Sequence, residues 1–175
     1  MRNRTVIGAV LGTALLLVGF VTPAAAQGTS VGAGISFQKL GSEWGPGVAV
    51  DVAKPVRTSG KTTIAAVGDL GFNSFDGGKT LSLQGGARVS GAVTPKVDVF
   101  GQLVLGLFRT SASDCDGDFC SSNDLAVSPG FGVNFAANEK VKIRVQLDFQ
   151  VVMFEGESET AKRLWFGVVF PVGKK

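Results

Sequence analysis

Two cysteines, three carboxylates spaced two apart, and charged residues scattered along otherwise apolar segments are the groups of this chain that could do chemistry. There is no histidine. That excludes Ser-His-Asp and Cys-His nucleophile pairs and any imidazole metal site. Cys115 and Cys120 are the only cysteines, and both stand in one polar stretch. In an exported chain two neighbouring cysteines are expected to pair as a disulfide. Closing so short a loop would add about 2 kcal/mol on the chain-entropy model. Asp114, Asp116 and Asp118 have the alternate spacing of a calcium loop. The EF-hand pattern wants Gly where Phe119 stands and Glu where Leu125 stands. An acidic solvated loop is therefore the expectation, calcium the weaker candidate, and no cofactor is expected.

The remaining charges lie on segments with a two-residue period. From Val31 to Val172, runs of about ten residues alternate apolar with small or polar side chains, and Gly, Pro, Asn, Asp or Ser clusters separate them. Eight strands are expected, at 31–40, 46–56, 62–75, 79–93, 97–111, 124–137, 141–155 and 163–172. The seventh is the clearest. Val141, Ile143, Val145, Leu147, Phe149, Val151 and Met153 form one face, and Lys142, Arg144, Gln146, Asp148 and Gln150 form the other. No helical segment intervenes, so an all-β, antiparallel up-and-down barrel is expected. Asp51, Asp69, Asp98 and Asp148 share the polar face with Arg88, Lys142 and Arg144. Enclosed together, these seven would form a paired network, because a lone buried charge is costly.

The front of the chain is set apart. Arg2 and Arg4 precede an apolar stretch, Thr5 to Val21, which ends in Thr22-Pro23-Ala24-Ala25-Ala26. That order reads as a signal peptide, residues 1–26, with cleavage after Ala26 and a barrel domain over 27–175. The whole chain carries +3, from 17 Lys plus Arg against 14 Asp plus Glu. Without Arg2 and Arg4 the balance is 15 against 14, or +1, so nothing points to nucleic acid. Charged residues are 18% of the chain, below the roughly 25% of ordinary soluble proteins.

Alternation does not say which face points inward. A lipocalin-like carrier, secreted or periplasmic, would turn the apolar face in around a small apolar ligand; a membrane barrel would turn it out. The polar face here is mostly Gly, Ala, Ser and Gln with isolated charges of both signs. Such residues suit the cramped lumen of an eight-stranded barrel better than a water-facing surface. The second, fourth and sixth connections are short, and the third, fifth and seventh are longer or more acidic, as in membrane barrels. The expectation is therefore a transmembrane barrel in the cell outer membrane. Pro129, inside the sixth strand, predicts a bulge. The chain has no Tyr, so Trp44, Trp165 and Phe residues would have to form the interfacial belt.

The stretch Pro129-Gly130-Phe131-Gly132-Val133-Asn134-Phe135, followed by Asn138 and by Val141 to Phe149, resembles the penultimate hairpin of the small outer-membrane β-barrel superfamily of Gram-negative bacteria (OmpA/OmpX-type and related porin-like barrels). Leu164-Trp165-Phe166-Gly167-Val168-Val169-Phe170 is similar to their closing strand. The resemblance implies an eight-stranded outer-membrane barrel in contact with lipid, assembled by the barrel-insertion machinery. Enzymes of this architecture generally depend on a His, so the expectation here is a monomeric, non-enzymatic protein with a structural or surface-exposed role. A narrow ion-conducting lumen is the weaker third reading.

Overall fold

The computed structural model describes residues 28–112, 120–153 and 157–172. Eight strands follow in chain order: β1 (Thr29–Leu40), β2 (Glu43–Ser59), β3 (Thr62–Phe75), β4 (Gly78–Thr94), β5 (Val97–Ala112), β6 (Cys120–Ala136), β7 (Lys142–Met153) and β8 (Ser158–Val172). Each pairs antiparallel with its neighbour in sequence, and β1 pairs with β8 from Thr29↔Val172 to Lys39↔Lys162. The sheet closes on itself, so no strand edge is left unpaired. One end of the barrel carries the β2–β3, β4–β5 and β6–β7 connections together with the starts of β1 and the finish of β8. We term it the turn end, and the other the loop end.

The strands form where alternation and turn chemistry agree. Phe75↔Gly78 closes the β3–β4 hairpin around Asp76-Gly77, with Gly77 at φ 86°. That positive φ matches the right-handed strand twist and is open to Gly at no steric cost. At the loop end the strands run past their sequence-derived limits. β2 takes in Glu43 to Gly45, β6 takes in Cys120 to Asn123, and β8 takes in Ser158 to Lys162. These segments lack clear alternation. Backbone pairing continues from the register already set by the adjacent strands, whatever the side chains.

The apolar face points outward. On β5, Leu103, Leu105 and Leu107 are 53–58% exposed, whereas Val104 and Phe108, on the inward phase of the same strand, are fully buried. Ile35, Leu83, Phe131 and Phe166 continue the outward band on β1, β4, β6 and β8. This orientation overturns the lipocalin-like alternative: the large apolar side chains form the outer surface, and Asp, Arg, Gln and Asn side chains are buried in the interior. The reason is volume. The inward positions are held by Gly, Ser and Ala wherever a large polar chain from across the barrel must fit, and a few valines, Val67, Val104, Val152 and Val169, fill the remaining interior space.

Two expectations about local structure are corrected. Pro129 causes no bulge. Val127↔Val151 and Gly130↔Asp148 keep one register, and Pro129 stays paired with Leu103 on β5. The β6–β7 ladder merely opens at Ser128 and Pro129, so the missing donor costs a local gap rather than an extra residue. The register shifts fall instead at Val56, between Pro55 and Arg57, and at Val93, between Ala92 and Thr94, both at the turn end. Trp165 is not an interfacial belt residue. It is 2% exposed and points into the lumen, where its Nε1 donates to the Ala49 carbonyl at 3.3 Å. Trp44 is outside, on the loop-end rim, and 57% exposed. Strand phase decided both: Trp165 lies between the outward Leu164 and Phe166.

Candidate functional site

The candidate site is the charged interior. Five ion pairs join four carboxylates to four cations, so the group is neutral as a whole. All seven charged residues expected on the polar face are in it. The eighth member, Arg163, was missed. It stands at the boundary assigned to the eighth strand, and its phase with Trp165 would have placed it inside.

The charges form two triads. In the first, Asp51 (β2) accepts from Arg88 (β4) and Arg144 (β7), each at 2.6 Å. Arg144 Nε also donates to Asn134 Oδ1 at 2.7 Å. Both guanidinium groups lie over the Phe100 ring, at 4.6 and 4.8 Å from its centre, and Arg144 also faces the Trp165 ring at 5.2 Å. Planar aromatic faces here replace part of the hydration that burial removes from the cations. This triad carries one excess positive charge.

The second triad carries one excess negative charge. Arg163 (β8) donates from Nη2 to Asp69 (β3) at 2.9 Å, and from Nε and Nη2 to Asp148 (β7) at 3.1 and 2.9 Å. Asp148 also accepts from the amides of Gln102 and Gln146, whereas among the described residues Arg163 is the only side chain donating to Asp69. Gln102 joins the triads: its Oε1 accepts from Arg88 and its Nε2 donates to Asp148. Opposite net charges thus face each other across one amide. That arrangement offsets part of the desolvation penalty that either triad alone would carry. Asp98 and Lys142 pair separately at the turn-end mouth, where both are partly exposed. Toward the loop end, Gln38 donates to Gln150 and accepts from Thr80, and Asn73 donates to Ser36, so neutral polar bridges continue the packing.

Small residues make the triads possible. A Cβ on Gly32 would lie 2.1 Å from Asp51 Oδ1, one on Gly130 2.0 Å from Asp148 Oδ1, and one on Gly71 2.5 Å from Arg163 Nη1. The glycines of the polar face are seats for charged groups reaching across the lumen.

Chemically, this interior is an electrostatic plug. Each of its carboxylates is held by a cation, and no histidine is available to activate a hydroxyl or thiol. Among the described residues no three His, Cys, Asp or Glu side chains gather as metal ligands. Residues 1–27 and 113–119 lie outside the described residues. The expected leader, the Cys115–Cys120 disulfide and the calcium candidate Asp114, Asp116 and Asp118 fall there. Cys120 itself begins β6.

Comparison with protein-family models gives no match, and comparison with curated proteins gives none either. Solved structures do match. The chain is similar to the attachment invasion locus protein of Yersinia pestis at 14% identity and TM-score 0.60, covering 82% of this chain and 98% of that one. It is similar to Neisserial surface protein A at 16% identity and TM-score 0.62, covering 84% and 99%. The outer membrane enzyme PagL matches at 14% identity and TM-score 0.54, covering 82% and 99%. At these identities the likeness establishes the fold, that of the small outer-membrane barrels. The same architecture includes an enzyme, so fold alone does not decide activity.

Proposed function

We propose that this chain is an outer-membrane β-barrel protein with a structural or surface-exposed role, its lumen plugged by the two charged triads. The observation that carries this reading is the inversion of polarity: a continuous apolar band outside and ion-paired charges inside. A soluble protein rarely exposes an apolar surface of that extent, whereas a lipid bilayer stabilises it. Strands of 12 to 17 residues are ample for a span that needs roughly nine to eleven.

The protein acts as a monomer and not as an enzyme. The closed sheet leaves no edge for self-association, and the absence of histidine removes the usual base. Residues 1–26 serve as an export signal cut after Ala26, Cys115 and Cys120 form a disulfide in the fifth connection, and the barrel-insertion machinery assembles the chain into lipid. Nucleic acid has no part in this reading.

The test is migration on an SDS gel of protein extracted from outer membranes, with and without boiling. A closed barrel should run as a compact band until heated and shift only on boiling. Recovery in the soluble fraction without a heat-dependent shift would refute the proposal. Single-channel recording separates a plugged lumen from a conducting one: steady current steps from the purified protein would reject the plug.

A further inference from the structure

Among the described residues the positive triad is not sealed at the turn end. A cavity of about 310 Å³ opens there among the described residues, lined in part by Arg88, Arg144 and Asn134, with Ser90 and Lys61 nearer the rim. That volume falls at the low end of the roughly 300–1,000 Å³ of small-ligand sites. The two arginines are 4% and 2% exposed, yet neither spends all its donors. Arg88 uses Nε and Nη2 on Gln102 and Asp51. Arg144 uses Nε and Nη1 on Asn134 and Asp51. Among the described residues, Arg88 Nη1 and Arg144 Nη2 have no hydrogen-bond partner.

The local charge points the same way. Asp51 neutralises one of the two guanidinium groups, and the Lys142–Asp98 pair at the mouth is neutral. Lys61 adds a further positive charge at the rim. The compensating negative triad lies deeper, beyond Gln102. Two buried, rigidly held guanidinium edges with free N–H groups, on the floor of an open cavity, make a receptor for a small oxoanion. Phe100 beneath both groups fixes their planes, so little further ordering is needed when an anion arrives.

We propose that the turn-end cavity is a binding site for a small oxoanion of the phosphate or carboxylate class, with Arg88 and Arg144 as its direct ligands and Lys61 as a rim charge. The site concerns the interior and does not depend on which role the outer loops play.

The experiment uses inorganic phosphate as probe and the full barrel in nonionic detergent. In a Trp44→Phe background, Trp165 beside Arg144 reports by fluorescence, with phosphate exchanged for chloride at constant ionic strength. A saturable change in Trp165 emission is expected. Lys61→Gln should weaken it about two- to fivefold, as loss of one rim charge does. Arg144→Gln should weaken it at least about tenfold, as loss of a charge-assisted donor pair does. Lys162→Gln, on the outer face at the loop end, should leave it unchanged. If Arg144→Gln does not fold, the Lys61 and Lys162 variants still decide. A flat titration in folded protein would overturn the proposal, as would equal weakening by Lys61→Gln and Lys162→Gln.

Discussion

Replacing Arg163 by Met removes the only cation of the negative triad while keeping most of the side-chain volume. The guanidinium is 1% exposed and bonds two carboxylates, Asp69 and Asp148, that are themselves buried. Breaking such a pair leaves uncompensated buried charge and costs about 3–5 kcal/mol. With a urea slope near 2 kcal/mol/M, the unfolding midpoint in lipid vesicles should fall by about 2 M. The two carboxylates should not suffer equally. Asp148 retains Gln102 and Gln146 as donors, whereas Asp69 loses the only side chain among the described residues that donates to it. Adding Asp69→Asn to Arg163→Met should therefore restore more stability than adding Asp148→Asn, which also discards the charge-assisted bonds to both glutamines. The assay is the boiling-dependent gel shift, or tryptophan emission, followed against urea for the four proteins. A midpoint change below about 0.5 M for Arg163→Met, or a better rescue by Asp148→Asn, would refute the view that the triad is a desolvated unit with Asp69 as its dependent member.

Three further outcomes follow from the same geometry. Gly130→Ala should destabilise the barrel by about 1–3 kcal/mol, as overpacking does, because its Cβ would meet Asp148 Oδ1, whereas Gly68→Ala, with nothing within 4 Å of the added atom, should be close to neutral; urea midpoints measure both. Single-tryptophan variants in bilayers containing brominated lipid should show strong quenching of the exposed Trp44 and little of the lumenal Trp165; equal quenching would place Trp165 back on the lipid face. Leu83→Arg, at a 58% exposed position between Leu70 and Leu107 on the outer surface, should cost about 2–4 kcal/mol if it lies at the bilayer midplane, read as a lower midpoint in vesicles.

The strands and their two faces were legible because a β-strand writes its geometry locally. A side-chain period of two places Lys142, Arg144, Gln146, Asp148 and Gln150 on one side of β7 regardless of anything else in the chain. The same phase put Asp51, Asp69, Arg88 and Asp98 on the face that became the interior. Where residue type was allowed to outrank phase, the reading failed. Trp165 looked like a belt residue because tryptophan favours membrane interfaces, although its neighbours Leu164 and Phe166 already fixed it as inward. Pro129 suggested a bulge because proline lacks a donor, and the sheet absorbed that loss by a gap in one ladder. The strand extensions at the loop end carried no alternating signal, since pairing there is propagated from registers set elsewhere.

By itself, then, the sequence determined an eight-stranded barrel with a charge-bearing face of small residues, through local periodicity and turn chemistry. Which charges meet was decided only by closure. Asp51 reaches Arg144 across 93 residues, and Asp69 reaches Arg163 across 94. Those partners are set by the register and stagger with which β8 returns to β1, and no local pattern encodes that stagger. The division into a positive and a negative triad, the glycine seats beneath them and the free guanidinium edges at the turn end arise together at that step. A lumen of this width brings opposite walls within hydrogen-bond reach, so side chains remote in sequence must either pair or clash.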